Sequence, residues 1–195
     1  MPTKERLSKI ERVVSNRQSG LIVVIEDIHD PHNAEAIMRT CDAFGVQNVY
    51  WIFDQEKYYN PKRVGAASSS SANKWLDFKI FRSSEACFKE LKKKKYQIVA
   101  TILDEKAKDI FQYDLINKNL ALVIGNEHRG ISKVAQKYAT TKLYIPMRGM
   151  VQSLNVSVTA AICLFEITRQ RMESGKTFEL NNTEHKRLIK SFCKK

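Results

Sequence analysis

The fold is decided by the stretch LIVVIEDIHDPHNAEAIMRTCDAFG, which runs from Leu21 to Gly45. It begins with LIVVIED, a largely apolar and β-branched run that is typical of a strand buried on both faces. The residues from DPHN onward show the spacing of a helix, and Gly45 follows them as a C-terminal cap. A buried strand that leads into a helix is the repeating unit of parallel sheets, so this stretch predicts an α/β fold.

The same alternation continues along the chain. Further strands are predicted in VQNVYWIF, LDFKIF, QIVATIL, LALVIG and KLYIP, with helical patterns between most of them. We therefore predict one α/β domain with a mostly parallel sheet flanked by helices. Short basic helices, over residues 1–19 and over the terminal NNTEHKRLIKSFCKK, extend this core. The segment YYNPKRVGAASSSSANKW is predicted to be a loop with a short helical part.

The charge balance favours an anionic partner. The 195 residues include 33 Lys and Arg against 21 Asp and Glu, which gives a net charge of +12. This surplus favours nucleic acid or an acidic membrane surface, although a basic protein without any anionic partner is the simpler alternative. No apolar run reaches the length of about 20 residues that a membrane span needs, so no membrane insertion is expected.

Cysteine usage and the N-terminus indicate the compartment. The four cysteines are far apart and form no CxxC motif, and Cys41 and Cys163 lie in apolar helical contexts. We interpret them as reduced thiols of a cytoplasmic protein. The first residues, MPTKERLSKIERVV, are charged and lack the apolar core of a secretory signal.

Polar residues follow three of the predicted strands, and ligands of open α/β sheets bind beyond the carboxyl ends of the strands. After the first strand come Asn33 and Arg39, and Arg39 interrupts an apolar helical stripe. A half-buried arginine needs an anionic partner, which is either a carboxylate of the same chain or a ligand.

The second such exit is LALVIGNEHRGIS, in which Gly125 is followed by Glu127. Gly125 allows a ligand to approach the backbone closely, or allows only a tight turn. Glu127 is a candidate partner of Arg39, or of its own neighbours His128 and Arg129.

The third exit is IPMRGMVQSLNVSVTAAICLFE, from Ile145 to Glu166, where three small polar residues alternate at the start of an apolar helix. Ser153 is predicted to be the N-cap. That leaves Asn155 as an unfavourable residue inside the helix, with no structural explanation. Free N–H groups at a helix start suit an anionic or polar ligand, so Ser153 and Asn155 are candidate site residues.

Several common chemistries are excluded by absent motifs. The sequence contains neither GxGxxG nor GxxxxGK[ST], so the usual nucleotide sites are unsupported. His29 and His32 lie three residues apart, but no Cys or acidic cluster completes a metal site with them, so no metal is expected. The sequence also lacks the GxSxG motif that is typical of serine hydrolases.

Together the three strand exits resemble the three motifs of the SpoU/TrmH family of RNA ribose 2′-O-methyltransferases, in the SPOUT superfamily. PHNAEAIMRTCDAFG resembles the first motif, LVIGNEHRGIS the second and IPMRGMVQSLNVSVTAAICLFE the third. The segments HDPHNAEAIMRTCDAFGV, SANKW and FEITRQR are more similar to the tRNA guanosine-18 members than to the ribosomal RNA members. The resemblance implies a catalytic domain over 20–172, an N-terminal tRNA-binding helix over 1–19 and a basic C-terminal extension over 173–195.

The resemblance also implies features that the strand pattern does not predict. These are a deep trefoil knot in the C-terminal part, a homodimer whose pocket is completed across the interface, and S-adenosylmethionine as the cofactor. The implied reaction is 2′-O-methylation of a tRNA ribose. Methylation of ribosomal RNA or of another tRNA nucleotide is the alternative, and a non-catalytic RNA-binding protein is a third.

Site residues follow from matching the motifs position by position. The implied catalytic set is Arg39, Asn33, Glu127, Ser153 and Asn155, and the implied cofactor set is Thr101, Leu103, Gly125, Ile145 and Leu154. In this resemblance Arg39 activates the 2′-hydroxyl and the other four position it. An arginine is effectively never deprotonated. We therefore expect Arg39 to hold the adjacent phosphate and stabilise the developing alkoxide, while a phosphate oxygen or solvent takes the proton.

Basic residues on several elements are the candidates for RNA binding. They are Arg12, Arg17, Lys62, Arg63, Arg169 and Arg171, with Lys186 and Arg187 near the C-terminus. Each one alone is better explained as a solvated surface charge, and it is the net charge that supports the group.

Overall fold

The computed structural model describes residues 2–63, 72–104 and 106–195. Its strands are β1 Leu21–Glu26, β2 Asn48–Ile52, β3 Asp77–Phe81, β4 Gln97–Thr101, β5 Lys108–Asp109, β6 Leu120–Ile124 and β7 Thr141–Tyr144. Its helices are α1 Lys4–Ser15, α2 Pro31–Ala43, α3 Ser84–Lys93, α4 Lys133–Tyr138, α5 Val156–Glu173 and α6 Asn182–Phe192, with a 3₁₀ helix at Ala72–Lys74. The part of the predicted loop at 64–71 lies outside the described residues.

The seven strands form one sheet in the order β3-β2-β1-β6-β4-β7-β5, and every pairing between the described strands is parallel. This confirms the predicted α/β class with a mostly parallel sheet. The two-residue strand β5 was not predicted, because a pair of polar residues carries no periodic signal.

The strand order reverses between β1 and β6. From β1 the chain moves outward through β2 and β3, and then returns to β4 on the far side of β6. Loops that follow the two central strands therefore leave the sheet in opposite directions and open a crevice at its carboxyl edge. The segments that carry Asn33 and Gly125 both begin at this crevice.

Two apolar layers cover the sheet. Alternate residues of β1 face opposite sides, so Val23 packs with α2 and α5 while Val24 packs with α3 and α4. Helices α1 and α6 pack on each other through Ile10, Val14, Leu188 and Phe192. The two chain ends thus form one helical pair.

The helix starts carry the residues that cap them. Thr3, Asp30, Ser83, Ser132, Asn155 and Asn181 each accept a hydrogen bond from a backbone N–H in the first turn. At the end of α2, Gly45 takes φ +72°. A Cβ at Gly45 would lie 2.4 Å from the Asn16 carbonyl oxygen, so only glycine fits between α1 and α2.

The cysteines are free thiols, and Cys41 and Cys163 are fully buried in the core as predicted. Burial raises the pKa of the Cys163 thiol to about 12, so it stays protonated. Within the described residues, no helix has the length and apolar character that crossing a bilayer requires.

Candidate active site

A cavity of about 590 Å³ opens at the carboxyl edge of the sheet, at the crevice beside β1 and β6. The loops after β4, β6 and β7 form its walls, together with the first turns of α2 and α5. All five residues that the family resemblance assigned to the cofactor line it, namely Thr101, Leu103, Gly125, Ile145 and Leu154. Four of the five assigned catalytic residues line it too, namely Asn33, Glu127, Ser153 and Asn155.

Glu127 is held in one orientation by three donors. Its Oε1 accepts from Asn33 Nδ2 at 2.9 Å and from the backbone N–H of Asp30 at 3.1 Å, and its Oε2 accepts from the backbone N–H of His29 at 2.9 Å. The sequence-based pairing of Glu127 with Arg39, or with His128 and Arg129, is therefore wrong. The carboxylate ties the turn after β6 to the start of α2.

Two asparagines extend this carboxylate across the cavity mouth. Because Glu127 only accepts hydrogen bonds, the Asn33 amide must turn its NH₂ toward Glu127 and its oxygen away. That oxygen accepts from Asn155 Nδ2 at 3.0 Å. The Asn155 oxygen in turn accepts from the N–H of Ser157 at 2.8 Å and from its hydroxyl at 2.6 Å. The acceptor Glu127 at one end of the row and the donor Ser157 at the other therefore require the same orientation of the Asn33 and Asn155 amides.

The row keeps Glu127 ionised. Partial burial raises the pKa of this carboxyl, but the hydrogen bonds from Asn33 and the two backbone N–H groups outweigh it, and the net pKa lies below the ordinary value. Glu127 therefore carries its charge throughout the neutral range.

The turn after β6 explains the need for Gly125. A Cβ there would lie 2.5–2.6 Å from backbone atoms of Gly130 and Ile131, because Asn126 and Gly130 pair through both of their backbone groups. The Asn126 side chain accepts from the N–H groups of His128 and Arg129 and so fixes the turn. Of the two interpretations of Gly125, the tight turn is confirmed.

The start of α5 differs from the sequence prediction. The helix begins at Val156, and its N-cap is Asn155, whose side chain accepts from Ser157 N. Ser153 was predicted to be the cap, but it lies two residues before the actual N-cap, as an exposed residue of the cavity wall. Asn155 is therefore not an unfavourable interior residue, because capping is a role that asparagine performs well.

Arg39 also departs from its prediction. It lies on α2 but is exposed, forms no ion pair with any residue that the structure describes, and does not line the cavity of its own chain. The apolar stripe of α2 leaves Arg39 on the side away from the sheet. The expectation of a half-buried arginine with an internal carboxylate partner is wrong.

Three residues near the site were missed by sequence reasoning. Asp27 takes φ +50°, and its carboxylate accepts from the N–H groups of the segment 54–56. This places Glu56 where it pairs with Arg129 at 2.6 Å and with His29 at 3.1 Å. The hydrogen bond to Glu56 raises the pKa of His29. Asn126 is the third of these residues. The only signal in the sequence that could have pointed to them was the acidic end of β1.

The basic residues assigned to RNA divide into two groups. Arg12, Lys62 and Arg63 are exposed. Arg169 is partly exposed and pairs with Glu166 and Glu173 on its own helix. These four side chains remain candidates for RNA contact.

Arg17 and Arg171 are internal, which corrects their assignment as RNA ligands. Arg17 is 1% exposed, pairs with Asp42 at 2.5 Å and donates to the Val46 carbonyl at 2.9 Å. Arg171 is 3% exposed and donates to several backbone carbonyls, while Phe178 covers its guanidinium at 4.3 Å. Burial lowers the pKa of Arg171 to about 10. Both guanidiniums are held inside the protein by internal acceptors.

In the described ranges, no three His, Cys, Asp or Glu side chains are grouped so that they could hold a metal ion. The chemistry available at the cavity is that of fixed amides, the carboxylates of Asp30 and Glu127, the basic side chains of His128 and Arg129, and backbone groups at strand ends. Such a site can orient a polar substrate and stabilise developing charge.

Comparison with known proteins gives consistent likenesses. A model of the SpoU rRNA Methylase family matches residues 20–165. A tRNA (guanosine(18)-2′-O)-methyltransferase of Thermus thermophilus is 39% identical over 178 residues, which are 89% of this chain and 87% of that protein. The crystal structure of the A. aeolicus TrmH/SpoU tRNA modifying enzyme has a TM-score of 0.87 and 33% identity, covering 98% of this chain and 96% of that one.

A second solved structure bears a ligand. The SpoU methyltransferase AviRb from Streptomyces viridochromogenes, in complex with the cofactor AdoMet, has a TM-score of 0.69 and 27% identity. The match covers 85% of this chain and 62% of that chain.

Proposed function

Because this chain belongs to the SpoU methylase family, we propose that it transfers a methyl group from S-adenosylmethionine to a ribose 2′-hydroxyl of tRNA, at guanosine 18. The observation that carries the proposal is the fixed row Glu127–Asn33–Asn155 at the mouth of the cavity. The relative from Thermus thermophilus, named for this reaction, supports the choice of substrate.

The residues of the cavity fit S-adenosylmethionine. Its volume lies within the range of about 300–1,000 Å³ that small-molecule sites occupy. Leu103, Ile145 and Leu154 offer apolar surface for a flat heteroaromatic ring, and Thr101 and Gly125 offer backbone groups at the ends of β4 and β6. When bound, the cofactor supplies a methyl group on a positively charged sulfur. Asp30 also lines the cavity, and its carboxylate suits a cationic ligand.

The acceptor ribose is positioned by the polar row. Asn33 and Asn155 each use one hydrogen of their NH₂ group within the row, so each keeps a second donor for a substrate oxygen. Ser153 adds a hydroxyl on the same wall. Alignment of this kind supplies much of the acceleration of a displacement reaction, since a free 2′-hydroxyl is a poor nucleophile.

We assign Arg39 to the phosphate beside that ribose. Its guanidinium remains protonated, so it binds the phosphate in a forked contact and stabilises the alkoxide that forms as the proton leaves to a phosphate oxygen or to solvent. Since Arg39 lies outside the cavity of its own chain, it acts on the cavity of a second copy. Replacing Arg39 by Lys should lower kcat, because one ammonium cannot form the forked contact.

A homodimer accounts for both the position of Arg39 and an exposed apolar stripe. Val158, Phe165 and Met172 lie seven residues apart on α5 and are 44%, 56% and 80% exposed. Phe44, the C-cap residue of α2, touches Phe165 edge to face. Helix α2 packs on α5, so a second copy docked on this stripe would lie beside Arg39. Large exposed apolar patches are characteristic of interaction sites.

Mixing two inactive variants tests the shared site. In a mixed dimer of Arg39→Ala and Asn155→Ala chains, one site has an intact Asn155 in its own chain and an intact Arg39 from the other chain. After dissociation and reassociation of the two variants, we expect recovery of about a quarter of the wild-type rate, since half of random dimers are mixed and each holds one intact site of two. No recovery would assign Arg39 to its own chain.

The remaining parts of the proposal concern RNA and chain organisation. Residues 20–172 form the catalytic domain, with a deep trefoil knot in its C-terminal part. The helices within 1–19 and 173–195 contribute to tRNA binding, with Arg12, Lys62, Arg63 and Arg169 as contacts. The protein works in the cytoplasm. The likeness to the A. aeolicus tRNA-modifying enzyme over 98% of the chain supports including both terminal helices.

Mapping of the methylated nucleoside tests the reaction. Purified protein is incubated with S-adenosylmethionine and unmodified tRNA, and the digested tRNA is analysed by mass spectrometry. We expect 2′-O-methylguanosine at position 18 of the D-loop. A methyl group at another ribose would change the substrate nucleotide and keep the reaction. Transfer to ribosomal RNA alone would overturn tRNA as substrate, and absence of both transfer and cofactor binding would identify a non-catalytic RNA-binding protein.

A further inference from the structure

The segment after β2 is fixed beside the cavity mouth. The Asp27 carboxylate holds the N–H groups of residues 54–56, and Tyr59 donates its hydroxyl hydrogen to the Ile28 carbonyl at 3.1 Å. Glu56 in this segment pairs with Arg129, which lines the cavity. The next residues of the chain therefore lie at the edge of the candidate active site.

An aromatic ring and a guanidinium are stacked at this edge. Tyr58 is 39% exposed, and the Arg82 guanidinium carbon lies 4.1 Å from the centre of its ring. Phe53 supports Tyr58 from beneath at 5.1 Å in an edge contact. Planar side chains of both kinds are the surfaces on which unpaired nucleic-acid bases stack.

Exposed cations lie on the same segment as Tyr58. Lys57, Lys62 and Arg63 form no ion pair with a residue that the structure describes, and neither does Arg82. The two carboxylates of residues 53–63 are already engaged: Glu56 binds His29 and Arg129, and Asp54 accepts from the N–H of Ser84. Free cations around stacked planar groups match the phosphates and bases of a single strand.

We propose that Tyr58 and Arg82 form a stacking platform for an unpaired base of the RNA substrate, close to the ribose that is methylated. Lys57, Lys62 and Arg63 then lie along the phosphates of the same strand. The inference rests on the proposed function and extends it to a nucleotide other than the target. An arginine–tyrosine stack that only stabilises the surface is the alternative that the experiment must separate.

Substitutions at Tyr58 separate stacking from charge. For Tyr58→Ala we expect binding of unmodified tRNA to weaken by about 5-fold or more, as for the loss of one stacked base. Tyr58→Phe, which keeps the ring, should bind within about 2-fold of wild type. The slope of binding against salt should stay unchanged for Tyr58→Ala, because no charge is lost. Lys62→Ala should lower that slope by about 1, as expected for one phosphate contact.

A fluorescence measurement reports on contact directly and does not depend on the alanine variant folding. In Tyr58→Trp the added indole should be quenched by tRNA, after subtraction of the wild-type signal from Trp51 and Trp75. Normal tRNA affinity of folded Tyr58→Ala, or an unquenched Trp in a Tyr58→Trp chain that binds tRNA, would overturn the platform. A wild-type chain that neither binds nor methylates tRNA would overturn the proposed function instead.

Discussion

Two groups of polar side chains lie at opposite edges of the same sheet. At the carboxyl edge, Glu127, Asn33 and Asn155 form a hydrogen-bonded row that opens on a cavity. At the amino edge, Arg17 and Arg171 bind the loops that precede β1, β2 and β6. Both groups are polar residues in apolar surroundings, and from the sequence both were candidates for binding a ligand.

What separates the two groups is whether a substrate can reach the donors that remain. Asn33 and Asn155 line the cavity and each keep one N–H, whereas Arg171 gives the hydrogens of both its terminal nitrogens to oxygens of Gln18, Ser19, Asn117 and Lys118, and its unpaired Nε–H is buried. A polar group whose partners are all internal stabilises the fold. One that is held rigidly while keeping a free donor can act on a substrate.

The largest effect is expected from removing an internal arginine. Arg171→Met should lower the free energy of unfolding by about 3 kcal/mol, because several buried carbonyl oxygens lose their donor. Urea denaturation measures this. Arg169→Met on the same helix removes two ion pairs of a 40% exposed guanidinium, one of them to the buried Glu166, which keeps its hydrogen bond from Gln170, and should cost less, about 1–2 kcal/mol. A stable Arg171→Met protein with weakened tRNA binding would return Arg171 to the RNA contacts.

The next largest effect concerns the row at the cavity. Glu127→Gln replaces one carboxylate oxygen by an NH₂ group, so at least one of the three donors around this side chain faces another donor and the contact that orients Asn33 is disturbed. We expect kcat for tRNA methylation to fall about 100-fold through misalignment, while the affinity for S-adenosylmethionine changes little. Glu85→Gln, an exposed change on α3, is the matched control. A proportional loss of cofactor binding would show that Glu127 acts on the cofactor and not on the ribose.

Most of the sheet could be predicted because buried parallel strands are continuous apolar runs, as in LIVVI and LALVI. The order of the strands could not be predicted, because nothing in the apolar pattern of β4 shows whether it pairs with β6 or with β3. The site could be placed at the carboxyl edge without knowing the strand order, because ligands of open parallel sheets bind beyond the carboxyl ends of the strands.

At the site, residue identity could be predicted better than contacts. The motifs identified Asn33, Glu127 and Asn155, but the helix start at Asn155 was misplaced by two residues because Ser153 is an equally good cap in sequence. Arg39 was expected to be half-buried but is exposed. The helical period alone does not show on which side of an apolar stripe a residue lies. Burial of Arg17 and Arg171 depends on contacts between distant segments, which no local pattern reveals.

The smallest expected effect is on the pH dependence of stability, and it distinguishes two carboxylates near the carboxyl edge. Burial raises the pKa of Glu26, although its hydrogen bonds from Ser132 and Ser84 act in the opposite sense, whereas the net pKa of Glu127 is lowered. The folded protein therefore favours the protonated form of Glu26. Its stabilising contribution is present below the ordinary carboxyl pKa and is lost as pH rises through the folded value.

Glutamine does not titrate, so Glu26→Gln should gain stability relative to wild type as pH is raised from about 4 to 8. Glu127→Gln should show the opposite trend below about pH 5, because the stabilising contribution of Glu127 is lost as pH falls from the ordinary carboxyl pKa to its lowered value, so the range is extended down to about pH 3. Urea denaturation of both variants and of wild type across this pH range measures the two slopes. Slopes of the same sign would mean that burial governs both carboxyls, and that the donors around Glu127 do not hold its charge at the mouth of the cavity.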